Sequence, residues 1–314
     1  GGNRSGLGET AHTEGFAPGA QPGTGGSHGG LGGDFAGNAG SVPNPVYGDL
    51  VDPRALGSGG GAWSGAGGDG GGLVRIGAIN LVVDGRVRAD GGLSAGSASG
   101  EGSGGSVNLT LRTLAGLGTI SADGGTTNGS NHTGGGGGRI AIRSLDRETY
   151  DPARLTARGG DGFYADGADG TIYLVGEGAT SGELVVNGVG AGSPATDLLL
   201  PPGQAFSSIT LQNGANVVAR GAIQLSGTLL LRGNARLTHE TASEAGLSIE
   251  AREIVVESGS AIDVSDRGYL GGNRSGLGET AHTLGRLPGS QSGTGGSHGG
   301  LGGDFSGNGV SVPT

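Results

Sequence analysis

Aliphatic residues alternate with polar ones over short stretches of this chain, and the alternation returns in a recognisable form. It shows in "VRIGAINLVVDGRVRADGG" from Val74, in "SVNLTLRTLAGLGTISADGG" from Ser106 and in "LSIEAREIVVESGSAIDVSDRG" from Leu247. A period of two, carried by β-branched and aliphatic side chains, predicts strands. The three stretches align. Val74 and Ile76 fall opposite Val107 and Leu109, and opposite Leu247 and Ile249; Val87 and Ala89 fall opposite Ile120 and Ala122, and opposite Ile262 and Val264. A looser copy puts Ile140 and Ile142, then Leu155 and Ala157, in the same places. Roughly 11–15 residues separate the two strand positions within a copy, too few for a crossover helix with its loops, so the chain is expected to turn a sharp corner there. Residues 206–240 continue with short strands, and Asn213-Gly214 and Gly233-Asn234 are suited to corners that need positive φ. No window carries an amphipathic helix of useful length. The expected fold is all-β, a parallel β-helix (β-solenoid), with a flat antiparallel β-sandwich as the alternative.

A second repetition is far longer. "GGNRSGLGETAHT" at residues 1–13 returns unchanged at 271–283, and "GTGGSHGGLGGDF" at 23–35 returns at 293–305. The first 44 residues and the last 44 share roughly 35 identities, a period of about 270 residues that must span many turns of a solenoid. The predicted organisation is a glycine-rich insert at 1–72, β-helix turns with shorter glycine-rich loops at 73–270, and the start of the next tandem repeat at 271–314. The second copy follows "SAIDVSDRGYL" without a linker, whereas the first has no strand before it. We therefore expect the start to be a cut in a continuous array or a junction completed by a neighbouring molecule. On the fibre reading the two copies would follow the same backbone path, displaced by about ten turns of ~4.8 Å, roughly 50 Å.

Composition changes this picture at one point. Glycine supplies 79 of 314 residues, and such enrichment without a collagen period ordinarily signals disorder. The glycine runs, however, follow the same point of each aligned copy, at 91–105, 124–138, 159–170 and from 268 onward. Inserts leaving one corner of successive turns are expected to stack on one side of the solenoid. Gly23, Gly26, Gly29 and Gly32 recur at every third position, the spacing at which extended polyproline-II-type chains pack on their glycine edges. The alternative is a set of floppy linkers. The net charge of −10 argues against nucleic-acid and anionic-membrane partners. No apolar run reaches the ~20 residues of a membrane span, and the chain opens without a charged and apolar leader. Absence of Cys removes disulfides and thiolate metal sites and leaves the redox compartment open.

The stretches "GGSGGSVNLTL", "GTISADGG" and "GGGGGRIAIRS" resemble the glycine-rich parallel β-helix repeat regions of very large secreted or cell-surface, adhesin-like bacterial proteins. The resemblance covers residues 57–144 and the tail from Leu247. It implies an extracellular or cell-surface location and a structural or adhesive role, and brings no catalytic residue with it. The leading expectation is a structural protein, a segment of a tandem array that associates head to tail through adjacent repeats into a filament. An adhesin or carbohydrate-binding module comes second and a β-helical polysaccharide-degrading enzyme third.

Candidate chemistry is sparse. Asp161, Asp166 and Asp169 lie in one glycine-rich loop and present hard oxygen ligands suited to Ca²⁺, although their spacing fits neither an EF-hand nor the nine-residue glycine-Asp repeat. His28 with Asp34, repeated as His298 with Asp304, and His12 with Glu9, repeated as His282 with Glu279, offer two ligands each where a transition metal needs three or four. Hydrogen bonds to the loop backbone are the expected role. Asp146, Glu148 and Asp151, near Arg143 and Arg147, form a carboxylate cluster of the kind glycosidases use. With one Trp, five Tyr and five Phe the chain is short of sugar platforms, and no enzyme is expected. Trp63 is expected to anchor its glycine loop. Asn3, Asn108, Asn128, Asn131 and Asn273 carry the Asn-X-Ser/Thr pattern, which a glycine-rich sequence produces often by chance.

Overall fold

The computed structural model of the protein describes residues 20–35, 42–127, 131–146, 150–176, 178–190, 194–201, 204–272, 282–283 and 294–302. It is all-β. Among the described residues regular structure is strand, apart from a single 3-10 turn at Pro152–Arg154 capped by the Asp151 carboxylate. The chain forms two compact units, Gly1–Leu237 with Ile249–Ile262, and Thr238–Ser248 with Asp263–Thr314.

An eight-stranded sheet dominates the first unit. From edge to edge it runs Leu73–Val82, Ser106–Ala115, Arg139–Asp146, Thr171–Val175, Gly182–Asn187, Phe206–Gln212, Thr228–Leu231 and Glu253–Val256, which is also chain order. Parallel ladders join the first four strands. Val74 stands opposite Val107, Val107 opposite Ile140, and Ile140 opposite Ile172. The step along the chain is 33 residues, as between Asn80 and Thr113, then 32 between Arg139 and Thr171. Arg86–Arg88, Thr119–Ser121 and Leu155–Thr156 stack at nearly the same interval into a second, parallel sheet. The pairings of Val74 with Val107 and Val87 with Ile120 are those the sequence alignment predicts.

The sheets are mixed, because Thr171–Val175 and Gly182–Asn187 pair antiparallel, with Ile172 opposite Val185 and Leu174 opposite Glu183. Beyond this hairpin the ladders are parallel again, with shorter steps of 25, 20 and 25 residues, Leu184 standing opposite Ile209, Ile209 opposite Leu229 and Leu229 opposite Ile254. The corners follow the turn chemistry expected of them: Asn213 and Gly214 have φ of 55° and 79°, Gly233 and Asn234 61° and 66°. One alignment is corrected. Ile249 does not join the large sheet; it pairs with Ile223 in a two-stranded sheet, and Glu253–Val256 takes the place expected for it.

The core changes sides of the large sheet at the hairpin. Before it, Val107, Leu109, Leu111, Ile140, Ile142, Ile172 and Leu174 point to the face covered by Ile120, Ala122 and Leu155. The opposite face is closed by residues 47–56: Asn108 donates to Asp52 and to the Pro53 carbonyl, Arg139 to the Tyr47 carbonyl, and Arg143 to the Val51 carbonyl. After the hairpin the alternate set, Leu184, Val186, Ile209, Leu211, Leu229 and Leu231, is buried. Leu184 is in register with Tyr173, not Ile172, so the buried face is the other one. Thr171–Val175 serves both cores and is buried at all five positions. That burial explains why "TIYLV" reads as a continuous apolar run without alternation.

Candidate functional site

The glycine runs pack against one another, backbone to backbone. Gly26 N–H donates to the Glu101 carbonyl, Gly29 to Gly137, Gly33 to Gly134 and Gly136 back to Gly26, all at 2.8–2.9 Å. The network extends outward through Gly104 to Gly136, Gly135 to Gly125, Gly125 to Gly102 and Gly102 to Gly92. Residues 24–30 are buried throughout. A Cβ placed on Gly26, Gly29 or Gly30 would stand closer than 3.0 Å to the carbonyl of Ser58, Gly138 or Ala168 respectively. None of these glycines has φ in the left-handed region. What excludes a side chain is therefore proximity of neighbouring backbones. Pairing of the backbone groups in this layer replaces their lost hydration, which floppy linkers would not do.

Polar side chains inside the layer are few and perturbed. His28 is fully buried against the Tyr47 ring, 4.8 Å between centroids, and its Nδ1–H donates to the Gly104 carbonyl at 3.0 Å. Burial, helped by the nearby Arg139 cation, lowers its pKa to about 3. Burial likewise raises Asp169 to about 7. Its Oδ1 accepts from Gly159 N–H at 3.2 Å, and its buried Oδ2 has no partner.

Ser94 and Glu101, from the glycine run 91–105, meet His132, from the next run, in a cluster without a sequence signature. Ser94 Oγ lies 2.8 Å from His132 Nδ1 and 3.0 Å from Glu101 Oε1, and the Ser94 N–H also donates to Glu101. Glu101 lies 3.4 Å from the same His132 Nδ1. A hydrolytic triad needs the imidazole to bridge serine and acid through its two different nitrogens. Here one nitrogen faces both partners, and the cluster serves to tie the run 91–105 to the run 124–138.

Four aromatic residues converge at one corner of the layer. Phe35 and Tyr164 meet edge to face at 4.8 Å, and Phe163 packs on Tyr164 at 5.3 Å. Trp63 Nε1 and the Phe35 ring flank Gly23, where a Cβ would come within 3.3 Å of each. Trp63 thus packs against Gly23, in a loop other than its own, while staying 45% exposed, and Phe163 is 64% exposed.

The structure keeps the expected Ca²⁺ ligands apart. Asp166 Oδ1 accepts from Gly162 N–H at 2.9 Å, Asp161 is exposed, and Asp169 is buried. Among the described residues no group of three or more His, Asp or Glu side chains stands close enough to hold a metal. His28 binds loop backbone and Asp34 is exposed. His282 N–H donates to the Leu270 carbonyl. Glu9, His12, Glu279, Asp304, Arg147 and Glu148 lie outside the described residues, as do Asn3, Asn128 and Asn273. Asn108 is buried, and Asn131 Oδ1 accepts from the Tyr164 hydroxyl at 2.7 Å. No helix among the described residues is long and apolar enough to cross a membrane. No family model, curated protein or solved structure matches the chain.

Proposed function

We propose that this chain is a segment of a tandem-repeat β-solenoid with a structural, non-enzymatic role, the shaft of an extracellular fibre or cell-surface stalk that associates head to tail. The observation that carries the reading is the large sheet, which stacks strands in chain order. Among the described residues Leu73–Val82 and Glu253–Val256 each have a ladder on one side only. Ile79 and Val82 are exposed at one end, Ile254 and Val256 at the other. Apolar strand edges template further strands, and repeats related by one screw operation form open contacts that propagate. The location outside the cell follows the resemblance to adhesin-like repeat regions. Electron microscopy of the purified chain tests the reading: fibres with a constant axial repeat are expected, and dispersed particles at all concentrations would refute it.

The aromatic corner favours a second reading, a carbohydrate-binding or adhesive module. Partly exposed rings of Trp63, Phe163 and Tyr164 are the kind of surface on which sugar faces stack. Titration of polysaccharides against the fluorescence of the single Trp tests it. An unchanged spectrum would leave the corner as packing for its glycine loop.

A further inference from the structure

The two copies of "GTGGSHGGLGGDF" adopt the same local fold in opposite surroundings. In the first, Gly32 N–H donates to Ser27 Oγ at 2.9 Å and His28 N–H to the Gly30 carbonyl at 3.1 Å. In the second, Gly302 N–H donates to Ser297 Oγ at 2.8 Å and His298 N–H to the Gly300 carbonyl at 3.2 Å. A Cβ on Gly32 would collide with the Gly25 carbonyl, and one on Gly302 with the Gly295 carbonyl. The shape is therefore made by the tract itself. The surroundings differ completely. His28, Gly29 and Gly30 are buried, whereas His298, Gly299 and Gly300 are exposed and Leu301 is 87% exposed. In the first copy Gly29 and Gly30 abut the Gly138 and Ala168 carbonyls; around Gly299 and Gly300 there is nothing within 4 Å of a would-be Cβ, and neither has a left-handed φ.

Among the described residues nothing in its own unit accounts for glycine at 299 and 300, while the same residues at 29 and 30 are required by the backbones around them. We infer that residues 294–302 are a preformed insert that docks into the glycine cradle of a second copy of this chain, the cradle built by residues 57–61, 100–104, 133–138 and 165–169. The inference rests on the proposed self-association for its partner, and adds the segment and the seat. Docking puts His298 where His28 sits, with its Nδ1 facing the Gly104 carbonyl, and puts Leu301 carbonyl where Leu31 accepts from Ala168 N–H at 2.7 Å. The cradle ordinarily holds its own first copy, so the exchange is a swap of identical elements between chains.

The test uses full-length chains. A receiver carrying Gly30→Val and Gly300→Val cannot seat either of its own copies, and wild type serves as donor. Mixing is expected to give a 1:1 complex in which the donor amides of residues 297–302 exchange at least about 100-fold more slowly than in wild type alone. Unchanged exchange with a receiver whose large-sheet strands remain protected would overturn the inference. Should the receiver lose strand protection, a wild-type chain extended after Thr314 by a further copy of residues 45–270 decides. Slow exchange at 297–302 is expected there too, lost again on Gly300→Val, and fast exchange would overturn docking. Protection in the extended chain with none in a folded mixed pair would place the seat on the same polypeptide and overturn the second molecule as partner. Fibre formation is scored separately by microscopy, so docking without fibres sinks the shaft reading alone, and fibres without protection sink this inference alone.

Discussion

At the residue scale, glycine acts here in two distinguishable ways. Gly136 lies inside the layer, where a Cβ would meet the Gly30 carbonyl at under 3.0 Å; Gly85 has nothing within 4 Å and no left-handed φ. Gly136→Ala is expected to destabilise by about 1–3 kcal/mol or more, as overpacking does. Gly85→Ala should stabilise slightly, by about 0.4–1 kcal/mol, because it restricts only the unfolded chain. Urea midpoints of the two variants check this, and equal shifts would refute the packing argument. The layer also sets two opposed pH dependences. His28 titrates at about 3 folded against 6.5 unfolded, so its contribution is full above pH 6.5 and is lost as pH falls towards 3. Asp169 titrates at about 7 folded against 3.8 unfolded, so its contribution is full below pH 3.8 and is lost as pH rises through 7. Each is on the order of 4–5 kcal/mol over its window, and between pH 3.8 and 6.5 they offset. Asp169→Asn removes one slope. The variant is expected to be more stable than wild type at pH 8 and to gain about 1.4 kcal/mol per pH unit between 4 and 6.5. Parallel stability curves for variant and wild type would contradict this account.

At the element scale, the sequence showed the 33-residue stacking clearly, because long alternating strands at constant spacing fix register: a one-residue slip would turn Val107 and Leu109 outward. The same alternation says nothing about which sheet a short strand joins, which is why Ile249 aligned with Ile76 yet pairs with Ile223. Nor does it say which face of a sheet is covered, since a period of two is unchanged when the sheet is turned over. The glycine layer was legible from where the runs recur. The cluster of Ser94, Glu101 and His132 was not, having no spacing to read, and the burial of Asp169 depends on backbones distant in sequence. The edge strands carry their own prediction. Ile79→Lys with Val256→Lys places a cation on each exposed edge. Self-association measured by sedimentation is expected to fall at least about tenfold while thermal stability stays within about 0.5 kcal/mol. Unaltered association would mean that the contact lies elsewhere.

At the scale of the whole molecule, the hairpin reverses strand direction and the core changes face at the same place. In the proposed solenoid these two reversals cancel: circulation about the axis keeps its sense while the chain continues to advance, so both coils have the same hand. The coils overlap on a common wall instead of standing end to end. In mechanical terms that wall is a lap joint. A pull along the stacking direction passes from one coil to the other through the three antiparallel pairs Ile172–Val185, Tyr173–Leu184 and Leu174–Glu183, through the hydrogen bond from Thr196 Oγ1 to the Asp169 carbonyl at 2.8 Å, and through the buried Tyr173 ring set edge-on to Phe206 at 5.9 Å. Tyr173 is the largest of the three side chains, with Thr171 and Val175, that Thr171–Val175 turns away from the first core, so Tyr173→Ala should weaken the joint while leaving the 33-residue ladders of the first coil whole. Single-molecule stretching is expected to show the first rupture at lower force in the variant, with the later ruptures unchanged, and an unaltered first rupture would mean that tension takes another path through the molecule.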